Sequence, residues 1–344
     1  MRVGQKSAEN RRGGATIPYP QETAAPPAAA EGAPFEELPS RAAVVSQGAV
    51  ANRHQERKSL LQSWLLRRHR KSVARWAKEA GQAPSIDDLR LVMERRVPPV
   101  VREYFRGGAD DEQTLRDNEE AFQRVRLNPR YAVKVDNVDL STDIVGERIS
   151  MPIIGAPVGS LRLLWPRGET ESSKAVGDAG TIFSLSTLTG SRLEEVMEAS
   201  NGPGWYQLYL VGGRSVALRG IERAKAAGYS ALVLTIDTPV AGNRLGHARM
   251  RPVEAFSGTL WQKAKFGPQM MKYLSWVNSF YADGGTMDFP NIVLDDGSQM
   301  PYADIGNQLQ QSAVTWEDID WIREAWGDRP LVIKGVLNLE DAHL

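Results

Sequence analysis

Three charged side chains stand where predicted strands end, and together they could bind and transform a small anion. Asp237 and Lys334 each follow a short apolar run, and Arg244 lies on a glycine-containing turn. A carboxylate at such a place orients a histidine or binds a metal, and an ammonium in a partly dry site stabilises an anionic cofactor or intermediate. A guanidinium can hold a substrate carboxylate. The structural alternatives are a helix N-cap for Asp237, a salt bridge for Lys334 and a surface position for Arg244.

Short apolar runs alternate with helical stretches over the region that carries these residues. The predicted strands begin at Pro152, Thr181, Trp205, Ala231 and Leu331. The clearest helical stretches are Glu169 to Asp178, Arg192 to Ala199 and Ser215 to Ala227. Because nearly continuous apolar strands are buried on both faces, this alternation predicts a parallel α/β sheet covered by helices.

Two architectures fit a parallel sheet: an open doubly wound sheet and a TIM (β/α)8 barrel. No predicted strand is followed by the Gly-x-Gly-x-x-Gly fingerprint of the dinucleotide-binding open sheet. Polar residues cluster near the carboxyl ends of the strands, where barrel enzymes carry their chemistry. They are Ser186, Gln207, Tyr209, Thr235, Asp237 and Lys334. The sequence therefore favours the barrel.

The composition bounds the class of protein. The chain has 344 residues, 42 basic and 42 acidic side chains, and no cysteine. A balanced charge gives no general attraction to nucleic acid, and the lack of cysteine excludes disulfides, thiolate metal sites and a cysteine nucleophile. We expect no metal site. No apolar run is long enough to span a bilayer and no secretory signal is recognisable, so we expect a cytoplasmic protein.

The N-terminal part divides into two segments before the main domain. Residues 1–55 are rich in Ala, Pro and Gly without periodicity, which predicts a disordered tail. Residues 56–83 predict a basic amphipathic helix. Such a helix could touch an anionic membrane or RNA, but we favour a helix docked on the domain. Its apolar stripe consists of Leu60, Leu61, Trp64 and Leu65, and its basic residues include Arg67, Arg68, Arg75 and Lys78. The main domain then runs from 84 to 344.

Six runs in this domain resemble, in order, the signatures of the FMN-dependent 2-hydroxy-acid dehydrogenases and oxidases. The family includes glycolate oxidase, mandelate dehydrogenase, flavocytochrome b2 and L-lactate dehydrogenase. Of these, the sequence most resembles L-lactate dehydrogenase. The runs are Tyr104-Phe-Arg-Gly-Gly-Ala-Asp-Asp, Ser150-Met-Pro-Ile-Ile-Gly-Ala-Pro-Val-Gly, Ala179-Gly-Thr-Ile-Phe-Ser-Leu-Ser-Thr-Leu, Gln207-Leu-Tyr, Leu234-Thr-Ile-Asp-Thr-Pro and Ile333-Lys-Gly-Val.

The resemblance implies a role for each matching position. FMN would be contacted by the backbone of Val158 and Gly159, by Ser186, Gln207 and Thr235, and by Lys334 beside its N1/O2 edge. Tyr104 and Arg244 would hold the substrate carboxylate, and Tyr209 would lie near the reacting hydroxyl. Asp237 would be the partner of the catalytic histidine, which removes the hydroxyl proton while hydride passes to flavin N5.

The sequence departs from the family in its histidines. The family's histidine lies in a Ser-Asn-His-Gly-Gly-Arg segment, and this chain carries only His54, His69, His247 and His343. His247 follows the Arg244 turn, where relatives usually have an acidic residue. We therefore expect a barrel with about five of its eight strands present. Such a chain alone would not be a stable monomer or a competent catalyst.

Two positions suggest the size of the substrate. Leu188 stands where glycolate oxidase has a tryptophan, and Gly159 where many oxidases have alanine. Both would enlarge the space over the flavin, so we expect L-lactate or a longer L-2-hydroxy acid rather than glycolate. Oxidase and dehydrogenase activity, and the electron acceptor, stay open among quinone, cytochrome and oxygen.

A long insertion at about 245–315 exceeds the usual length of a βα loop. An apolar stripe at helical spacing predicts either a lid over the barrel mouth, which we favour, or peripheral contact with the inner face of the membrane. The stripe comprises Met270, Leu274, Val277 and Tyr281. We expect a homo-oligomer when complete. The alternatives to the enzyme are an inactive remnant of the same family and a different FMN- or phosphate-binding barrel.

Overall fold

The computed structural model describes residues 71–72, 74–240, 242–285 and 287–343. The tail expected over residues 1–55 lies outside these residues, and so does the apolar stripe of the expected basic helix. Residues 74–80 of that basic segment are helical. In the described part of the chain, no helix is both long and apolar enough to cross a membrane.

Three helices and a hairpin precede the central sheet. They are α1 (Ile86–Arg96), α2 (Pro99–Arg106), α3 (Gln113–Gln123), β1 (Thr142–Ile144) and β2 (Glu147–Ile149). α1 begins where Ser85 Oγ accepts a hydrogen bond from the Asp88 amide at 3.2 Å. α2 begins at Pro99, where a missing amide proton removes no helical hydrogen bond.

A sheet of four parallel strands lies at the centre of the domain. In spatial order these are β3 (Phe183–Leu185), β4 (Gly204–Leu208), β5 (Ala231–Thr235) and, later in the chain, β8 (Leu331–Lys334). Every residue of β4 and β5 is buried, in agreement with their continuous apolar sequence. The run beginning at Pro152 is not a strand, which corrects that expectation. It forms one bridge, between Gly155 and Phe183, because its two prolines lack the amide proton that a ladder needs.

Helices cover the sheet much as the helical stretches predicted. They are α4 (Gly168–Asp178), α5 (Leu193–Ala199), α6 (Arg214–Ala226) and, before β8, α13 (Trp316–Trp326). Ile221, Ile322 and Trp326 have no exposed surface and pack with the strands in one apolar core. Burial of this kind stabilises the fold through the apolar area removed from water.

The long connection between β5 and β8 folds into its own set of elements. These are α7 (Leu245–Met250), α8 (Pro252–Ser257), α9 (Leu260–Ala264), α10 (Gly267–Met270), α11 (Leu274–Ala282), β6 (Phe289–Val293), β7 (Gln299–Met300) and α12 (Ile305–Gln310). The helix α14 (Leu339–Ala342) follows β8. Phe289 and Tyr302 of this connection share a second apolar core with Val97, Val100 and Val101 near α2.

The apolar stripe expected in this connection does not form the buried face of one helix, which corrects the prediction. A short 3-10 turn separates α10 from α11, and Leu274 and Tyr281 are each 58% exposed. Trp276 and Phe280 are buried instead, with ring centroids 5.1 Å apart. Trp276 Nε1 also donates a hydrogen bond to the Leu163 carbonyl at 2.7 Å. Burying these larger aromatic rings removes more apolar area from water than burying the stripe.

We expect Trp276→Ala to lower the free energy of unfolding by ~3–5 kcal/mol, because it leaves a large cavity and an unpaired carbonyl. Trp261, which is 84% exposed, is the matched control. Trp261→Ala should change stability by no more than ~0.5 kcal/mol. Urea unfolding followed by far-ultraviolet circular dichroism compares the two variants. Equal losses would mean that Trp276 does not anchor the insertion.

Candidate active site

A cavity of about 580 Å³ lies where the strands reach their carboxyl ends. Ser186 directly follows β3, Gln207 is close to the end of β4, and Lys334 is the last residue of β8. α2 and the insertion complete the wall. Eight residues that the sequence assigned to the site line this cavity: Tyr104, Gly159, Ser186, Leu188, Gln207, Tyr209, Arg244 and Lys334. The topology therefore brings together residues that are far apart in the sequence.

A buried chain of hydrogen bonds links the ends of three neighbouring strands. Ser186 Oγ donates to Gln207 Oε1 at 3.2 Å, and the amide of Thr187 donates to the same oxygen at 3.2 Å. Gln207 Nε2 donates to Thr235 Oγ1 at 3.0 Å. None of these side chains is more than 4% exposed. Because a buried polar group without a partner is costly, this chain fixes which way the Gln207 amide points.

Lys334 and Asp237 form an ion pair, with Nζ and Oδ2 2.7 Å apart. The family resemblance implied that Lys334 lies at a flavin edge and Asp237 beside a histidine, but here each is the other's partner. The salt bridge considered for Lys334 is therefore present, whereas Asp237 caps none of the helices in the described part of the chain. Gly335 allows the contact: its φ is +105°, and an added Cβ would lie 2.6 Å from Asp237 Cβ.

Arg244 and two tyrosines form the opposite side of the cavity. The Arg244 guanidinium donates to the Tyr104 carbonyl at 3.1 Å, and its side chain is otherwise exposed. Burial raises the pKa of the Tyr104 hydroxyl. Burial, with the nearby Asp237 charge, raises the pKa of Tyr209 to about 12. Both phenols are thus protonated at neutral pH and can donate hydrogen bonds to an anion.

Gly159 closely approaches the residues around it. A Cβ at this position would lie 3.1 Å from the Leu188 carbonyl oxygen and 3.3 Å from the Tyr104 hydroxyl. Leu188 and Tyr104 therefore already border the space that Gly159 leaves open. Neighbouring Val158 is 41% exposed.

His247 belongs to this site, although its position in the sequence predicted no role. Its ring lies parallel to that of Tyr104, with centroids 5.7 Å apart and 7° between the planes. Burial, followed by the charge of Arg244, lowers the pKa of His247. The spacing could have indicated that His247 lies near Arg244, because His247 is three residues after Arg244 and residues three apart on a helix share a face. Thr187, Phe289 and Tyr302 were missed as well; only their place in the fold reveals them.

The family of the chain follows from comparison with known proteins. Residues 93–344 match the model of the FMN-dependent dehydrogenase family. The chain belongs to this family. The cofactor of this family is FMN, and its members are oxidoreductases. The residues at the cavity fit FMN, since neutral amide and hydroxyl groups and one ammonium suit a ring that hydrogen-bonds at its edge and gains negative charge on reduction.

Two groups of relatives are similar to this member of the FMN-dependent dehydrogenase family. L-lactate dehydrogenase of Ectopseudomonas mendocina is 38% identical over 264 residues, which cover 74% of this chain and 66% of the relative. L-lactate dehydrogenase of Haemophilus influenzae is 34% identical over 261 residues. The crystal structure of the monotopic membrane protein (S)-mandelate dehydrogenase is 31% identical with a TM-score of 0.67, covering 75% of this chain and 67% of that one. A mandelate oxidase structure is 27% identical with a TM-score of 0.58, covering 75% and 64%. The chain thus spans 66% of the length of the first of these lactate dehydrogenases and 67% of the second.

We expect Gly335→Ala to destabilise the protein more than Gly297→Ala does. Both glycines have positive φ, +105° and +82°, so alanine costs roughly 1–2 kcal/mol at either position. Only at Gly335 does the new Cβ overlap Asp237, for a further ~1–3 kcal/mol, because nothing lies within 4 Å of a Cβ at Gly297. Thermal unfolding of both variants measures the difference. Equal losses would contradict the close approach of Gly335 to Asp237.

Proposed function

We propose that this chain binds FMN and the substrate in an enzyme that oxidises an L-2-hydroxy acid to the 2-keto acid. The observation that carries the proposal is the cavity itself, in which Arg244, two protonated tyrosines, Lys334 and the buried Gln207 chain converge. We propose a TIM (β/α)8 barrel as the complete fold. The proposed division is a tail over 1–55, a basic helix over 56–83 and the catalytic domain over 84–344, with its insertion at about 245–315.

The FMN site is proposed at the carboxyl ends of β3, β4 and β5. Ser186, Gln207 and Thr235 would meet the ring through their hydrogen-bonding groups, and the backbone of Val158 and Gly159 would lie against it. FMN held by these residues would supply the acceptor for the hydride equivalent that leaves carbon 2 of the substrate. The Lys334 ammonium would stabilise the resulting negative charge, since a cation in a partly dry site acts strongly on charge that develops nearby.

The substrate carboxylate is proposed to bind to Arg244 and Tyr104. Arg244 offers a guanidinium whose only hydrogen bond among the described residues goes to a carbonyl. Tyr209, protonated at neutral pH, would donate a hydrogen bond to the substrate oxygen at carbon 2. Asp237 is proposed to stabilise the protonated general base, and this requires it to release Lys334. Tyr209 and Asp237 would thus both act on the hydroxyl group at carbon 2 of the substrate.

The apolar wall of the cavity favours a substrate with an apolar side chain. Leu188 borders the cavity on the barrel side. The insertion adds further apolar lining, contributed by Val253, Phe289, Ile305 and Leu309. Because buried apolar area favours binding at ~25 cal/mol per Å², each added carbon of the side chain should strengthen binding. We therefore propose L-lactate or a longer L-2-hydroxy acid as the substrate.

Peripheral contact of the insertion with a membrane is also proposed, in addition to its place in the cavity wall. Trp261 and Met271 are 84% and 71% exposed, and exposed lysines lie beside them at 263, 265 and 272. Exposed aromatic and apolar side chains with adjacent cations suit an anionic bilayer surface. The name of the related monotopic mandelate dehydrogenase supports the same location. We propose the cytoplasm or the inner membrane face as the location, and a homo-oligomer.

We expect the complete enzyme to which this chain contributes, supplied with FMN, to oxidise L-lactate, or a longer L-2-hydroxy acid, with higher kcat/KM than glycolate. The apolar wall stabilises a side chain that glycolate lacks. Dye reduction measured over a series of L-2-hydroxy acids, with the D-isomers as controls, tests this. An equal or higher kcat/KM for glycolate would contradict the proposed substrate. Absence of FMN binding would contradict the proposed function altogether.

We expect Arg244→Met to weaken the binding of oxalate, a small carboxylate probe, by ~10–100-fold, because a charge-assisted hydrogen bond contributes ~1.5–3 kcal/mol. FMN affinity should be unchanged. Arg249→Met is the matched control, since Arg249 is exposed on the same helix and does not line the cavity. Parallel titrations of FMN and oxalate distinguish the two ligands. Similar losses for both would refute a substrate role for Arg244.

A further inference from the structure

His247 lies between the proposed carboxylate site and the first helices of the domain. It is on α7, three residues after Arg244, and lines the same cavity. Its imidazole stacks on the ring of Tyr104, with centroids 5.7 Å apart. The His247 ring therefore stacks on a phenol and lies near a cation, and all three residues line the cavity.

One ring nitrogen of His247 has no partner among the described residues. Nε2 is buried and makes no hydrogen bond within the described part of the chain. A neutral imidazole has one donor and one acceptor nitrogen, and leaving either one buried and unpaired is unfavourable. The cavity wall therefore contains a buried hydrogen-bonding atom without a partner among the described residues.

The charged and titratable groups around His247 come from three sides. α2 packs against α7 and contributes Glu103 and Tyr104, of which Glu103 lies close to Gly246. The segment of His247 itself carries Arg244 and, further along, Arg249 and Arg251. Tyr209 and Tyr302 line the cavity wall. Burial and the Arg244 charge both lower the pKa of His247, so its ring is neutral at neutral pH.

A carboxylate bound at Arg244 would change this balance. Its negative charge offsets the guanidinium, and a nearby anion favours the protonated imidazole. The pKa of His247 then rises on binding, and the proton comes from solvent. By linkage, the carboxylate binds more tightly as pH falls toward the His247 pKa of the free protein, which is lower than the ordinary ~6.5.

We propose that His247 is part of the carboxylate-binding wall of this cavity, and that it takes up a proton when a carboxylate binds beside Arg244. The identity of the ligand as a carboxylate rests on the proposed function. The proton uptake is a separate property of this chain, because it depends on the His247 imidazole, to which the proposed function assigns no role. Substrate affinity would thus depend on pH through a residue on the wall.

Nuclear magnetic resonance of the histidine ring protons tests the inference without measuring turnover. The chain has four histidines, so His247→Gln assigns the relevant signal. The full chain with saturating FMN is titrated with acid in the presence and absence of sodium oxalate. We expect oxalate to raise the His247 pKa by about half a pH unit or more and to leave the other histidines unchanged. In Arg244→Met, the His247 pKa of the free protein should rise.

The pH dependence of oxalate affinity gives a second readout. From pH 7.5 to 5.5, we expect affinity to increase by roughly 3–10-fold in the wild type. The increase should be absent in His247→Phe, which keeps the stacked ring, and in His247→Gln. His343→Gln, an exposed control, should behave as the wild type. Oxalate binding without a change in the His247 pKa would overturn this inference alone. Absence of oxalate binding would overturn both it and the proposed carboxylate site.

Discussion

The site depends on the parallel register of the central strands. Gln207 pairs with Val233, and Thr235 pairs with Lys334, so side chains from β4, β5 and β8 reach the same edge of the sheet. Gln207 and Thr235 then lie close enough for the 3.0 Å hydrogen bond between them. A shift of one residue in either strand would turn one of these side chains to the other face. Burial of both faces of β4 and β5 opposes such a shift, and it therefore also keeps Gln207 and Thr235 at the site.

The remaining wall is held by contacts between distant parts of the chain. The Asp110 amide donates to the Asn243 carbonyl at 2.9 Å, and Asn243 Nδ2 donates to Asp110 Oδ1 at 2.8 Å. These bonds fasten the turn before Arg244 to the segment after α2, which carries Tyr104. Residues of the insertion enclose the other side, and buried Trp276 anchors the insertion to the Leu163 carbonyl. A rigid sheet and tethered loops are the usual combination in barrel enzymes.

The sequence predicted the parts of the molecule that follow from periodicity and from strand ends. The helices near 168–178, 193–199 and 214–226, the strands β3, β4, β5 and β8, and eight of the residues that line the cavity were all predictable, because apolar strands and polar strand ends have simple patterns. The bridge at Gly155, the break between α10 and α11, and the place of His247 were not. Each depends on contacts between distant residues, which spacing along the chain does not contain. Likewise, no pattern distinguishes an ammonium that faces a ligand from one that pairs with Asp237.

That ion pair determines how charge is distributed over the cavity. The charge of Lys334 is offset by Asp237 2.7 Å away, whereas Arg244 forms no ion pair with any described residue. An incoming carboxylate is therefore attracted first to Arg244, and the Lys334 end of the cavity stays close to neutral. Lys334 can act on developing charge only when another cation takes its place beside Asp237. The protonated histidine of the family's Ser-Asn-His-Gly-Gly-Arg segment, which is distinct from His247, would be such a cation. In the proposed reaction, protonation of a base beside Asp237 would thus release the Lys334 ammonium, because both cations pair with the same carboxylate.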